Sequence, residues 1–203
     1  MNLSDYKGAI EDYNKAIELK PDFADAYSNR GTSRMNLSDN KGAIEDYNKA
    51  IELKPDDADA YCNRGVSRHN LSDNKGAIED YTKAIELKPN SAKAYNNRGV
   101  SRHNLSDYKG AIEDYNKAIE LKPDFAEAYY NRAVSHKISG DKNSAIADYR
   151  KAVDLYPTDN PWRKKHWIKS KNFSSCDRSD SCKDLRSRSF LKTELRGDRF
   201  QYS

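Results

Sequence analysis

The chain is poor in the residues that build a disulfide scaffold, a membrane span or a large apolar core. Its three cysteines, Cys62, Cys176 and Cys182, are too few for a disulfide framework, and they lack the paired CxxC spacing of a zinc knuckle. Hydrophobic residues make up only 36% of it, and there are two methionines and two tryptophans. No apolar run approaches the ~20 residues needed to cross a bilayer, and Met1-Asn2-Leu3-Ser4-Asp5 opens no signal peptide. A cytoplasmic protein without membrane association is the expectation. There is also no Ser/His/Asp set, glycine-rich phosphate loop or paired-carboxylate cleft. No enzyme activity, catalytic residue, metal or cofactor is therefore expected.

Charge is abundant, at 33%, but unevenly spread. Residues 1–159 hold 24 Lys and Arg against 27 Asp and Glu, whereas residues 160–203 hold 12 against 5. The formal net charge of +4 thus averages a mildly acidic body with a basic tail. A nucleic-acid partner is not inferred from that average. The run Arg186-Ser187-Arg188-Ser189 is read as part of a solvated tail, the alternative being weak binding of RNA or an acidic surface through it.

What the chain has in quantity is repetition. The segment 3–36 recurs as 37–70, 71–104 and 105–138, a period of 34, and the second and third copies agree at 29 of 34 positions. A fixed period in this range marks a solenoid. Each unit reads as two helices. In one, Ala43, Ile44, Tyr47, Ala50 and Ile51 form a single apolar stripe, and Lys54-Pro55 ends the helix because proline lacks an N–H and displaces its predecessor. Asp39 and its equivalents Asp5, Asp73, Asp107 and Asp141 stand at the N-cap place. The other helix runs from about Ala24 through Tyr27 to about Leu37. It carries a mid-helix glycine (Gly31, Gly65, Gly99) that costs about 1 kcal/mol relative to alanine, which close approach of a neighbouring helix would offset.

The order Tyr27, Gly31, Ala43, Tyr47, Ala50, Pro55 recurs as Tyr61, Gly65, Ala77, Tyr81, Ala84, Pro89 and as Tyr95, Gly99, Ala111, Tyr115, Ala118, Pro123. It resembles the signature of the tetratricopeptide repeat (TPR) family. A fourth unit, Tyr129, Ala133, Ala145, Tyr149, Ala152, Pro157, keeps all but the glycine. The resemblance implies an all-α fold, a right-handed α-solenoid of stacked antiparallel helix pairs. In that frame the units are 24–57, 58–91, 92–125 and 126–159, and 1–23 is a partial repeat with the second helix only. A capping helix is expected at 160–171, where Asn160-Pro161 suits a helix start, and a basic disordered tail at 172–203.

Where the family usually has an apolar residue, this chain has Arg30, Arg64, Arg98 and Arg132, followed a turn later by Arg34, Arg68, Arg102 and His136. A half-buried guanidinium needs a partner, so these heads are expected on Asp12, Asp46, Asp80, Asp114 and Asp148 of the second helices.

The resemblance also implies a concave groove, lined by the first helices, that takes an extended peptide or helix of a partner protein. The residues at the matching places include Asp25, Asp59, Lys93, His69, His103 and Tyr130, together with the series Asn29, Asn63, Asn97 and Asn131. A side-chain amide matches the donor and acceptor of a peptide backbone, and some TPR proteins use such an asparagine ladder. Local bonds that fix helix packing are the other reading of these amides. The two histidines are expected as exposed groove residues rather than metal ligands. A carboxylate clamp for an acidic C-terminus fits only at Asn63 and Lys93, and is not expected. The second arrangement the sequence suggests follows from Ile10, Tyr13 and Ile17, which lack a covering helix: either the chain is a fragment of a longer array, or that face docks against another copy in a homo-oligomer formed through exposed repeat ends.

Overall fold

The protein is described by a computed structural model, in which residues 3–156 can be placed. The described helices all lie within one unit that ends at Leu155. The expected capping helix at 160–171 and tail at 172–203, with Cys176 and Cys182, lie outside the described residues.

Among the described residues there are nine helices and no strand. They are α1 (Leu3–Leu19), α2 (Ala24–Asn36), α3 (Asn40–Leu53), α4 (Ala58–Asn70), α5 (Asn74–Leu87), α6 (Ala92–Asn104), α7 (Tyr108–Leu121), α8 (Ala126–Ser139) and α9 (Lys142–Leu155). The pairs α2–α3, α4–α5, α6–α7 and α8–α9 pack most closely, and each second helix also packs on the next first helix. The first helices touch one another in order, α2 on α4, α4 on α6 and α6 on α8. This is an α-solenoid.

Local chemistry sets the joints. The aspartates at 39, 73 and 107 cap α3, α5 and α7, each Oδ1 accepting from the glycine amide three residues on at 3.0 Å. Asp5 departs from that pattern. No first helix precedes α1 among the described residues, so Leu3-Ser4-Asp5 escape the turn that Leu37-Ser38-Asp39 make. The helix runs on through them, and Asp5 lies inside its first turn. The turn itself places Ser38, Ser72 and Ser106 at φ of 65°, 66° and 65°, a left-handed conformation that serine tolerates less well than Gly140 does in the fourth unit.

The core is small side chains around one large ring per unit. Ala43, Tyr47 and Ala50, with their equivalents in α5, α7 and α9, are essentially inaccessible, whereas Ala9, Tyr13 and Ala16 of α1 are half-buried. The mid-helix glycines explain how the rings fit. A Cβ at Gly31, Gly65 or Gly99 would lie 3.0, 2.7 or 2.6 Å from Cε1 of Tyr47, Tyr81 or Tyr115. Burial pushes the Tyr47 hydroxyl up to about 12, and it meets Thr32 Oγ1 at 3.1 Å.

A candidate protein-interaction face

The first helices present a continuous face because a repeated ionic lattice ties each of them to two second helices. Arg30 straddles α1 and α3. Its Nε and Nη2 donate to the Asp46 carboxylate, at 3.0 and 2.6 Å, while Nη1 donates to Asn14 Oδ1 at 2.7 Å. Arg34 Nη1 forms an ion pair with Asp46 Oδ2, the oxygen that also accepts from Arg30 Nε, at 3.1 Å, and donates to the Gly42 carbonyl at 3.1 Å. The tyrosine one turn earlier completes the group, with the Arg30 guanidinium 5.4 Å from the Tyr27 ring. The set recurs as Tyr61, Arg64, Arg68 and Asp80, with Asn48 accepting from Arg64, and as Tyr95, Arg98, Arg102 and Asp114, with Thr82 accepting from Arg98. The fourth unit has Arg132 on Asp148 and Asn116, and His136 in place of the second arginine, 4.0 Å from Asp148. The arginine–aspartate pairing expected from the sequence is therefore present in four units, and it occupies the guanidinium heads. Asp12 is the exception: its carboxylate is exposed.

Contacts between adjacent first helices run diagonally. His69 Nδ1 meets Ser101 Oγ at 3.2 Å and His103 Nδ1 meets Ser135 Oγ at 2.8 Å, each pair 32 residues apart. Asn131 Nδ2 donates to Asn96 Oδ1 at 3.0 Å, across 35 residues. The histidines are half-buried clips between units rather than exposed groove residues, because neighbouring first helices lie close enough for an imidazole to reach the next serine. The same register accounts for the two buried side-chain polar atoms without a partner among the described residues, Ser67 Oγ and Asn97 Nδ2. The residue 32 before Ser67 is Met35, and the residue 35 before Asn97 is Cys62. Neither offers a good partner, so both junctions lose a bond. Met35→His and Cys62→Asn each restore the residue found one unit later. Each should stabilise the array by about 1 kcal/mol, measured by denaturant unfolding. No gain from either would refute the diagonal register.

Burial lowers the His69 and His103 pKa from the ordinary 6.5 by disfavouring the charged ring. The unfolded chain then takes up protons before the folded one. The stability these groups contribute is complete above about pH 6.5 and is lost as the pH falls below it. Unfolding midpoints taken between about pH 7.5 and about pH 5 should fall less steeply for the His69→Gln/His103→Gln double variant than for the parent chain.

The asparagine series is graded. Asn29 is exposed and Asn63 half-buried, whereas Asn97 and Asn131 are 2% and 8% exposed. Asp25 and Asp59 stand at the helix starts, 3.9 Å from Lys54 Nζ and 3.7 Å from Lys88 Nζ. Lys93 replaces that aspartate in the third unit and is exposed, as is Glu127 in the fourth. Tyr130 is buried, its ring 5.6 Å from that of Tyr149. Cys62 is buried too, and desolvation raises its thiol to about 11, so it carries no thiolate chemistry at neutral pH. The partners that sequence reasoning missed are Ser101, Ser135 and Asn96.

No group of three or more His, Cys, Asp or Glu side chains suited to a metal occurs among the described residues, and no helix there is long and apolar enough to cross a membrane.

Comparison with known proteins agrees with this architecture. A family model described as tetratricopeptide repeat matches residues 58–91, 92–125 and 126–159, and one described as TPR repeat matches 2–38 and 33–72. No curated protein matches the chain significantly. Among solved structures, MamA is similar with a TM-score of 0.71 and 28% identity, over 75% of this chain and 89% of that one. YrrB, described as a TPR protein with an unusual peptide-binding site, has a TM-score of 0.69 and 24% identity over 83% and 84%, a likeness of fold. The first TPR of Spaghetti (RPAP3), solved with the HSP90 peptide SRMEEVD, has a TM-score of 0.57 and 25% identity over 58% and 93%.

Proposed function

Since the chain belongs to the tetratricopeptide repeat family, we propose that it is a non-catalytic scaffold that holds an extended peptide or helix of a partner protein along the face of α2, α4, α6 and α8. The observation that carries this reading is the amide series, which is accessible at its first two members. Asn29 and Asn63 offer backbone-matching bonds to a passing chain, while Asn97 and Asn131 are buried and Asn131 bonds across to Asn96 of the preceding first helix. Thr32, Met35 and His69 border them as half-buried groups, so the face offers both polar and apolar contact. The partner is read as a mid-chain segment rather than an acidic C-terminus. RPAP3 is described with a peptide ending in EEVD, but here Ser28 and Thr32 stand where a clamp for such an end needs basic and amide groups. Asp25 and Asp59 sit beside lysines, so they give the site little net field.

Selection from a displayed library of random linear peptides tests this. Peptides that bind the parent chain should bind Asn29→Ala and Asn63→Ala about fivefold more weakly per amide, the ratio set by ~1 kcal/mol for a hydrogen bond. Equal binding to the double variant would remove the amides from the site. A failure of any peptide to bind would remove the face.

A further inference from the structure

The second and third copies of the repeat, 37–70 and 71–104, differ at only five places, and three of these fall together at the entry to a first helix. Asp56, Asp57 and Asp59 become Asn90, Ser91 and Lys93, so three carboxylates give way to one ammonium. A fourth difference, Cys62 to Asn96, lies one turn further along the same helix. The exchanges gather at one spot, and the charged ones all move the field in one direction.

The structure gives that exchange a consequence. In the first two units the residue at this place pairs with the lysine that follows the second helix of the same unit, Asp25 with Lys54 at 3.9 Å and Asp59 with Lys88 at 3.7 Å. The third unit keeps the lysine, as Lys122, and has Lys93 in place of the aspartate. The same register therefore brings two ammonium groups to a place where the neighbouring units hold an ion pair. Both side chains are exposed, and neither forms an ion pair among the described residues. Lys122 leans instead on the Phe125 ring, 5.1 Å from its centroid, as Lys20 does on Phe23. Asp59 on one side is held by Lys88, while Asp124 and Glu127 on the other pair with neither lysine. Burial raises the Cys62 thiol, and Lys93 is the charge that most opposes the rise, so its ammonium lies within electrostatic reach of α4 beside Asn63.

We propose that Lys93 and Lys122 form a cationic subsite of the peptide-binding face, taking the carboxylate of an Asp or Glu side chain within the bound segment. The proposal rests on the peptide reading of that face and names the chemistry the face selects. Lys93 precedes Asn97 by one turn, as Asp59 precedes Asn63, so it stands on the amide ridge itself. A chain held by Asn29 and Asn63 that continues along the first helices meets Lys93 next. A carboxylate there bridges two ammonium groups that otherwise repel. Asp25 and Asp59, each neutralised by its lysine, exert no comparable pull. The charge pattern thus sets the register of the segment, with amide contacts first and an acidic side chain one unit on.

Lys93→Asp is the informative variant, because it recreates the pair that Asp59 makes with Lys88 and so leaves the fold intact. Lys109→Asp, the same change at an exposed lysine of α7 without an ion pair among the described residues, is the control. Peptides are selected on the parent chain from a library fused at its C-terminus, so that no free carboxyl end is offered. They should share an Asp or Glu. Exchanging that acid for its amide should weaken binding to the parent and to Lys109→Asp about fivefold, with little loss on Lys93→Asp, and the difference should shrink in about 0.5 M salt. Binders without a shared acid, or equal loss on all three chains, would overturn the proposal and leave the peptide face in place. A blocked pentaglutamate peptide tests the subsite without selection. The side-chain NMR signals of Lys93 and Lys122 should shift saturably on titration, and that of Lys109 should not. If no library peptide binds, the amide reading of the face falls, and this titration decides the subsite by itself. No saturable shift, or an equal shift at Lys109, would overturn it. An equal response to inorganic phosphate at matched charge would overturn it in favour of a free-anion site.

Discussion

Replacing Asp80 by alanine lowers the free energy of unfolding by about 3 kcal/mol, while the same change at Asp12 stays within about 0.5 kcal/mol. The two residues occupy equivalent places in the repeat, so composition and helix propensity are matched and only the surroundings differ. Asp80 is 2% exposed and accepts from two guanidinia, those of Arg64 and Arg68. Removing its carboxylate leaves both arginines half-buried with their principal acceptor gone, and each can recover water only by breaking its stacking and its bond to Asn48 or the Gly76 carbonyl. The loss is held to the lower end of the usual range because the arginine side chains keep 15% and 25% of their exposure. Asp12 has no such environment to lose. Denaturant unfolding of the two variants beside the parent chain reads the difference directly. Equal losses would mean that the lattice contributes no more than an ordinary surface charge.

This lattice was legible in the sequence, and the reason is physical. Arginines at half-buried positions demand counter-charges, Asp46, Asp80, Asp114 and Asp148 recur in every second helix next to the tyrosine of its apolar stripe, and a period imposes the same solution on every unit. The glycine requirement was legible for the same reason, since a costly residue repeated mid-helix implies a ring or backbone that needs its space. The contacts between first helices were not. A 34-residue period presents Asn29, Asn63, Asn97 and Asn131 as equivalents, but their neighbours at Ser28, Cys62, Asn96 and Tyr130 differ, and Asn29 has no first helix on its outer side among the described residues. Asn97 and Asn131 are therefore buried where Asn29 is exposed and Asn63 half-buried, although the residue is constant. Bonds that cross at intervals of 32 and 35 are likewise invisible to an alignment of repeats at 34, and they decide that His69 and His103 are clips. The turn before α3 offers a smaller case: its aspartate caps a helix where a preceding helix brings the chain into a turn, and no such helix precedes Asp5 among the described residues.

Gly65→Val should be the other severe substitution, costing about 3 kcal/mol through overpacking and the poor fit of a branched side chain. The helix itself would gain from losing a glycine, by roughly 0.5 kcal/mol for valine, so a measured loss comes from the contact and not from the backbone. The contact is with Tyr81, 1% exposed and packed between α4 and α5, where the first added carbon already falls 2.7 Å from Cε1 and 3.0 Å from Cδ1. A single methyl can be absorbed. The fourth unit has Ala133 at this place, with the Tyr149 ring leaning on Tyr130, whereas the third unit's Tyr115 faces Gly99 and has Asn96 at the place of Tyr130. Gly65→Ala should therefore cost no more than about 1 kcal/mol, its propensity gain offsetting most of the strain. Valine has no such escape, because its second branch points at the same ring. Trimming the ring supplies the control: Tyr81→Leu destabilises alone by leaving a cavity, yet combined with Gly65→Val it should lose clearly less than the two single losses added together, a coupling of at least about 1 kcal/mol. Strict additivity in that cycle would show that the glycine is conserved space for something other than the tyrosine of its own unit, and the pairing of first and second helices through ring and glycine would have to be abandoned.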